Sequence, residues 1–272
     1  MRSILLPVED HPETASTFAV ADQLAARFGA VVDGVALRPV QFQVVGAEPI
    51  VAVSFPASSE DEGEVIAKAR ARFDRHAAAR GTADNARMRW RAGATIDDNG
   101  LGGLARVYDI TVVGRPSNSG IGPRMTTLES VLFDSGRPAL IAPPKPRATF
   151  GDNVVISWNC STESARTVAF ALPLILGAKQ VTVLTIIGST VPGPTGAELV
   201  EYLATHGVKA REVTLPAGDR RPGNAILEEA TRLGADLLVK GAYTQSRLRQ
   251  MIFGGATSQI LAATELPVVM AN

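Results

Sequence analysis

The sequence predicts an α/β protein of two tandem doubly wound domains, each a five-stranded parallel sheet with about four helices. Short apolar runs alternate with amphipathic helical patterns along the whole chain, which is typical of a parallel sheet covered on both faces. The same order of elements also occurs twice. The corresponding segments are residues 4–10 and 154–160, residues 109–114 and 236–241, and residues 136–142 and 265–271.

The chain length and a proline-rich connector place the domains at residues 1–146 and 147–272. A chain of 272 residues favours about two domains, and each half of roughly 130 residues can bury its own core. The stretch Pro143-Pro144-Lys145-Pro146 cannot continue a strand or a helix, so we expect a short, stiff connector there.

Composition narrows the class of protein. Lysine and arginine number 27, as do aspartate and glutamate, so the balance of charge gives no indication of a nucleic-acid or membrane partner. We find no signal-peptide pattern and no apolar run of about 18 residues, and therefore expect no membrane span. The single cysteine suits a reducing compartment. The expected location is the cytoplasm.

In the first domain, an apolar strand is followed by a helix that we expect Asp10 to cap, with Glu13 three residues later. One buried helix face is expected at Ala21, Leu24, Ala25 and Phe28, which have helical spacing. The later predicted strands are residues 31–40, 87–91, 110–113 and 139–142. The later predicted helices are residues 60–79, 97–107 and 128–134.

The second domain repeats this order. Ser161 is expected to cap a helix whose buried face carries Ala165, Val168, Ala169 and Leu172. Strands are predicted at residues 181–187, 213–215, 237–240 and 268–270, and helices at 197–205, 225–233 and 256–263. In doubly wound folds ligands bind beyond the carboxyl ends of the strands, where the strand order reverses. We therefore expect ligands at the loops after the first and fourth strands of a domain.

The domains differ most between their second and third strands. This stretch covers residues 38–87 in the first domain but only 187–209 in the second, and the extra residues include an apolar segment from Ile50 to Phe55. One interpretation is a docked flap or an extra edge strand. The other is a lid or a subunit contact, because exposed apolar patches usually have a partner.

Glycines bracket a loop in the second domain. Gly241-Ala242-Tyr243-Thr244 is followed, nine residues later, by Gly254-Gly255-Ala256-Thr257-Ser258 at the start of a predicted helix. A glycine at a strand end lets backbone approach a ligand closely. The N–H groups and positive dipole end of the next helix favour an anion, so this loop is suited to phosphates.

These residues resemble the universal stress protein family. The resemblance rests on the first-strand pattern, the segment 241–257 and the closing segment 266–270, and it covers the chain as a tandem pair. Nucleotide-binding members carry G-x2-G-x9-G-[ST] and an aspartate after the first strand. Gly241 and Gly254 match, whereas Thr244, Gly255 and Asn159 depart from the pattern.

The resemblance implies ATP or another adenine nucleotide as ligand. The implied site residues are Asn159, Ile186, Gly241, Thr244, Gly254, Gly255, Ala256 and Thr257. Ile186 would contact adenine through its backbone, and Cys160 stands where the family usually has glycine. In the first domain Gly114 remains, but Ser117 and Glu9 replace the second glycine and the aspartate, so that domain is expected to be structural. Family members dimerise through their last strands, which implies intrachain domain pairing here, together with a homo-oligomer and a protein partner whose identity stays unknown.

No catalytic residue or metal site is assigned. The chain has no Walker A sequence and no G-x-S-x-G elbow, and its three histidines are scattered. Cys160, at a helix N-terminus, is open to two interpretations: packing, or a thiol sensor with a lowered pKa.

Three functions follow. The first is a non-catalytic, cytoplasmic stress-response protein whose C-terminal domain senses or binds an adenine nucleotide. The second is a nucleotide-independent interaction module, and the third is a slow ATP-hydrolysing enzyme.

Overall fold

The computed structural model describes residues 1–9, 11–38, 41–42, 54–55, 59–80, 87–93, 95–117, 122–242 and 255–272. Within these ranges the predicted fold class is confirmed. Each half of the chain contributes five strands to a largely parallel sheet, and helices cover both faces.

The first half contains seven strands and four helices within the described ranges. In chain order they are β1 (Ser3–Val8), α1 (Thr14–Phe28), β2 (Val31–Ala36), β3 (Gln41–Phe42), β4 (Ser54–Phe55), α2 (Ser59–Ala78), β5 (Met88–Trp90), α3 (Asp98–Ala105), β6 (Ile110–Gly114), α4 (Met125–Asp134) and β7 (Ala139–Ala142).

The second half contains five strands and four helices within the described ranges. They are β8 (Asn153–Ser157), α5 (Thr162–Leu176), β9 (Gln180–Ile187), α6 (Gly196–Thr205), β10 (Ala210–Pro216), α7 (Pro222–Arg232), β11 (Leu237–Lys240), α8 (Ala256–Ala263) and β12 (Val268–Met270).

One ten-stranded sheet runs through both halves in the order β10-β9-β8-β11-β12-β7-β6-β1-β2-β5. All neighbours are parallel except β12 and β7, which pair antiparallel with Val269 opposite Leu140. Strand order reverses between β8 and β11 in the second half and between β1 and β6 in the first. Each half therefore has one crevice of the kind that holds ligands in doubly wound folds, after its first and fourth main-sheet strands.

Alternation along the strands divides the core into two layers. Ile4, Leu6 and Val8 of β1 pack on the face covered by α1 and α2, whereas Leu5 packs on the face of α3 and α4. The second half repeats this arrangement. Its α5 and α6 lie on the first face, and its α7 and α8 lie on the second.

Two arginines of the first half donate hydrogen bonds to backbone carbonyls of the second half. Arg27, in the last turn of α1, donates to the carbonyls of Phe150 at 3.1 Å and Gly151 at 2.9 Å, and to that of Gly177 after α5. Arg115, after β6, donates to the carbonyls of Ala262 and Thr264 at the end of α8, each at 3.2 Å. The carbonyls of Gly177, Ala262 and Thr264 lie at the C-terminal ends of α5 and α8, so the cations there also face the negative end of a helix dipole.

Two sequence-based expectations about helices are wrong. Asp10, the expected cap of α1, lies outside the described residues; the N-cap is Glu13, whose side chain makes no capping bond. On α5, Ser161 is the N-cap as expected, but Ala165 and Ala169 are exposed. Val168 is buried as predicted and Leu172 is half-buried against the core. The buried residues of the helix are Ser164, Thr167, Val168, Ala171, Leu174 and Ile175. Small hydroxyl side chains fit against the sheet there, and Thr167 exchanges hydrogen bonds with the backbone of Ala271.

The insert of the first half does not extend the main sheet within the described residues. β3 and β4 pair with each other in a separate antiparallel sheet, with Gln41 opposite Phe55. Residues 43–53, which include Ile50 and most of the apolar segment, lie outside the described residues.

Candidate functional site

The crevice of the second half lies between the carboxyl ends of β8 and β11. The turn that follows β8 carries Asn159 and Cys160, and Gly241 follows β11. The start of α8 belongs to the same region, because Thr257 contacts Lys240 at the end of β11. Asn159 and Gly241 thus both lie beside the start of α5, and Lys240 links Gly241 to the start of α8.

Asn159 faces the first turn of α5. Its Oδ1 accepts hydrogen bonds from Ser164 Oγ and, at 3.4 Å, from the Ser161 N–H. The side chain acts here as a second cap of α5, beside the Ser161 hydroxyl that accepts from the Ser164 N–H. Within the described residues the Asn159 Nδ2 group has no hydrogen-bond partner, so it remains a donor for a ligand.

Cys160 has a left-handed backbone, with φ of 66°. Among the described residues, every other residue with a positive φ is a glycine. The conformation explains why glycine is the expected residue at this position. Burial raises the pKa of the Cys160 thiol, and the nearby Glu198 carboxylate raises it further. A thiol sensor requires a lowered pKa, so the raised pKa favours the packing interpretation of Cys160.

The packing of β11 against α5 is enough to require glycine at position 241. A Cβ atom on this residue would lie 2.5 Å from the Ser164 nitrogen and 2.8 Å from the Glu163 carbonyl carbon. The end of β11 thus approaches the backbone of α5 more closely than any side chain allows. The glycine that resembles a phosphate-loop residue has a structural purpose even without a ligand.

The N-terminus of α8 has no side-chain cap among the described residues. Its N-cap is Gly255, in an extended conformation with φ of −85°, and Ala256 and Thr257 form the first turn. Thr257 is buried, and its Oγ1 accepts a hydrogen bond from Lys240 Nζ at 3.0 Å. The same ammonium donates to the Gly241 carbonyl at 2.7 Å. The ammonium of Lys240 therefore lies beside the first turn of α8, at the positive end of the dipole of that helix.

The remaining predicted residues are less informative. Ile186 is buried near the end of β9, and its carbonyl accepts hydrogen bonds from the Ser189 N–H at 3.2 Å and Oγ at 2.8 Å. The acceptor positions of that carbonyl are thus used within the chain. Thr244 and Gly254 lie outside the described residues.

The corresponding crevice of the first half is filled by an arginine. Arg124, the N-cap residue of α4, places its guanidinium 3.1 Å from Glu9 Oε1 and 2.9 Å from Asp98 Oδ1. Pro123 covers Gly114, since a Cβ there would lie 2.3 Å from Pro123 Cγ. Glu9 and the start of α4, which correspond to Asn159 and the start of α8, are joined by this ion pair.

The charges of this cluster differ in their environment. Burial raises the pKa of Glu9 to about 7, although Arg124 acts to lower it. Burial would also raise the pKa of Asp98, but hydrogen bonds from Arg124, Thr126 and Thr127 hold it below its ordinary value. The carboxylate that pairs with Arg124 most firmly is therefore Asp98.

Sequence reasoning missed Arg124, Asp98 and Lys240. Arg124 and Asp98 left no sequence signal, because their pairing depends on how two separate helices start beside one crevice. Lys240 does have a sequence signal, because it is a charged residue at the end of an otherwise apolar strand.

None of the helices within the described residues is long and apolar enough to cross a membrane. In the same part of the chain, no group of three or more histidine, cysteine, aspartate or glutamate side chains could hold a metal ion.

The fold defines a class: tandem doubly wound α/β proteins in which the strand order reverses once in each half. Residues 153–272 match the model of the universal stress protein family. The second half of the chain belongs to the universal stress protein family.

Comparisons with individual proteins agree. The stress response protein NhaX of Bacillus subtilis (strain 168) is 34% identical over 59 residues, which are 22% of this chain and 34% of that protein. The match thus spans about a third of that relative's length.

The fold of the whole chain is also found in solved structures. A universal stress protein from Archaeoglobus fulgidus DSM 4304 aligns over 99% of this chain and 98% of its own, with a TM-score of 0.70 and 16% identity. A putative universal stress protein from Pseudomonas aeruginosa UCBPP-PA14 aligns over 100% of this chain and 93% of its own, with a TM-score of 0.54 and 13% identity. At these identities the likeness concerns the fold alone.

Proposed function

We propose that this chain is a two-domain universal stress protein that binds an adenine nucleotide in the crevice between β8 and β11 and acts in stress response without catalysis. One observation carries the proposal. The uncapped start of α8 lies beside the end of β11 at the switch point, whereas the equivalent place in the first half is filled by Arg124. Among the described residues, no ion pair joins the corresponding strand end and helix start of the second half, which favours an anionic ligand there.

Each group that lines the crevice suits a particular part of a nucleotide. The start of α8 presents backbone N–H groups and the positive end of a dipole, which suit phosphate oxygens. The Asn159 Nδ2 group is a donor that suits a ribose hydroxyl or a phosphate oxygen. Glu9 at the equivalent position of the first half is buried and would repel phosphates when ionised.

The proposal includes no catalysis because Asn159 is neutral. Phosphoryl transfer needs a divalent cation, and carboxylates are its usual protein ligands. The alternative, a slow ATP-hydrolysing enzyme, predicts phosphate release above that of a heat-inactivated sample. We expect no such release. The role in stress response is supported by the family of residues 153–272 and by the name of the Bacillus subtilis relative.

Substitutions at Gly255 test nucleotide binding. Its φ of −85° suits any residue, so a side chain there adds no backbone strain. Gly255→Glu places a carboxylate at the start of α8, where it favours the helix dipole but repels phosphates. Gly255→Ser is the matched neutral control, and it restores the family pattern.

Calorimetric titration with ATP and with adenosine compares the three proteins. We expect wild type to bind ATP, Gly255→Ser to bind at least as tightly, and Gly255→Glu to bind about tenfold more weakly or not at all. Thermal unfolding of each variant checks that the fold is intact. Equal heats from wild type and Gly255→Glu, or no heat from wild type, would contradict the proposal.

A further inference from the structure

A buried lysine lies at the edge of this crevice. Lys240 is the last residue of β11, and only 8% of it is exposed. Because side chains alternate along a strand, it shares the face of Leu238, which packs against α7 and α8. Its Nζ donates to the Gly241 carbonyl at 2.7 Å and to Thr257 Oγ1 at 3.0 Å. These bonds hold the ammonium between the loop after β11 and the first turn of α8.

The charge of Lys240 is uncompensated in the part of the chain that the structure describes. No described carboxylate oxygen lies within 4.0 Å of Nζ, and Glu163 on α5 acts on it only through space. Burial lowers the pKa of Lys240 from 10.5 to about 8, although Glu163 opposes the change. Two neutral acceptors do not offset the cost of removing an ammonium from water.

The helix beside Lys240 increases this cost. The positive end of the α8 dipole faces the ammonium, and the N-cap Gly255 supplies no side-chain oxygen between them. Two sources of positive potential at one buried place are unfavourable for folding alone. An anion held between them would remove the conflict, because it would pair with the ammonium and with the helix at once.

We propose that the Lys240 ammonium binds the phosphate group of the ligand, together with the first-turn N–H groups of α8. The inference rests on the proposed function for the nucleotide, and it adds the group that carries the charge and the end of the crevice that holds the phosphates. The flexible four-carbon stem lets Nζ exchange the Gly241 carbonyl for a phosphate oxygen without a change in the backbone. The competing explanation is that Lys240 only ties β11 to α8.

Two substitutions separate these roles. Lys240→Met keeps the length of the stem and removes the charge, whereas Lys240→Arg keeps the charge. Each protein is titrated calorimetrically with ATP, with adenosine and with inorganic sulfate at constant ionic strength. We expect Lys240→Met to bind ATP about 10- to 100-fold more weakly, the loss of one hydrogen bond to a charged group, and to lose sulfate binding. Adenosine affinity should stay unchanged, and Lys240→Arg should bind ATP nearly as wild type does.

The outcomes distinguish this inference from the proposed function. If Lys240→Met binds ATP as tightly as wild type, the lysine is a structural tie and the inference is overturned, while the nucleotide site stands. If wild type binds sulfate, Lys240→Met does not, and neither binds ATP or adenosine, the anion site stands and the proposed function fails. Binding of none of the three ligands by wild type overturns both.

A measurement on wild type covers the case in which Lys240→Met fails to fold. ATP affinity should weaken between pH 7 and pH 9, because Lys240 loses its proton over this range. An affinity that stays constant from pH 7 to pH 9 would also overturn the inference.

Discussion

Gly241→Ala should destabilise the protein whether or not a nucleotide binds. The added Cβ would lie 2.5 Å from the Ser164 nitrogen, 2.8 Å from the Glu163 carbonyl carbon and 2.9 Å from the Ser164 Cα. Ordinary contacts of a Cβ atom start at 3.4 Å, so three overlaps must be relieved. The overlapping atoms belong to the backbone of α5, which cannot rotate away as a side chain does. We expect a loss of about 1–3 kcal/mol in the free energy of unfolding, as for other overpacked sites.

Urea unfolding of the intact chain measures this loss, and Gly103→Ala is the matched control. Gly103 is an exposed residue of α3, and a Cβ there would meet nothing within 4 Å. The same substitution should therefore raise stability by about 0.5–1 kcal/mol, because alanine favours a helix interior more than glycine does. If Gly241→Ala were as stable as wild type, the close approach of β11 to α5 would be wrong.

This expectation also decides how the ligand site must be tested. A variant of Gly241 that binds no nucleotide has lost the position of α5, and with it the orientation of Asn159. Its failure to bind would not identify Gly241 as a ligand contact. Substitutions at Gly255 and Lys240 avoid this problem, since neither adds a side chain to the contact between β11 and α5.

Three further predictions concern other parts of the molecule. Cys160→Gly should raise the free energy of unfolding by up to about 1 kcal/mol by relieving the left-handed backbone, and Cys160→Val should lower it, as chemical denaturation can show. The raised pKa of Glu9, about 7 against an ordinary 4.5, means that the folded state holds the proton more tightly, so stability should fall as pH rises from about 4.5 to 7. Glu9→Gln should abolish that fall, and its advantage over wild type should grow by about 2–3 kcal/mol between pH 4.5 and pH 8; a constant difference would contradict the buried carboxyl. Arg27→Ala should cost about 1–3 kcal/mol in urea unfolding, because three carbonyls lose a charged donor, whereas Arg70→Ala, which breaks only an exposed pair with Asp74, should cost less than about 0.5 kcal/mol.

Strand and helix positions near the second crevice could be predicted closely from the sequence. β11, α8 and β12 have the predicted bounds, because an apolar run, a glycine and a helical pattern follow one another there without ambiguity. The buried face of α5 could not be predicted, since alanine is tolerated on either side of a helix. Ser164 and Thr167 are buried there because the backbone of the neighbouring segments supplies their partners.

The chemistry of the crevices was harder to predict than their position. Topology places Glu9 and Asn159 at equivalent strand ends, but which way a side chain turns depends on the helix that starts beside it. Asn159 turns its oxygen toward α5 because Ser161 and Ser164 offer donors there. Glu9 has Arg124 as its partner because α4 starts with that residue. Neither outcome leaves a signal in the spacing of motifs.

The two crevices differ in the charges that surround a helix start. Each lies at the start of a helix, α4 in the first half and α8 in the second, where the positive end of the dipole is stabilised by a negative charge. In the first half the chain provides that charge itself, because Asp98 and Glu9 hold Arg124 across the crevice and no ligand is needed. In the second half the described residues place a lysine at the helix start and no carboxylate against it. A duplicated domain can therefore keep one copy closed by an internal ion pair while the other, as we propose, takes its anion from solution.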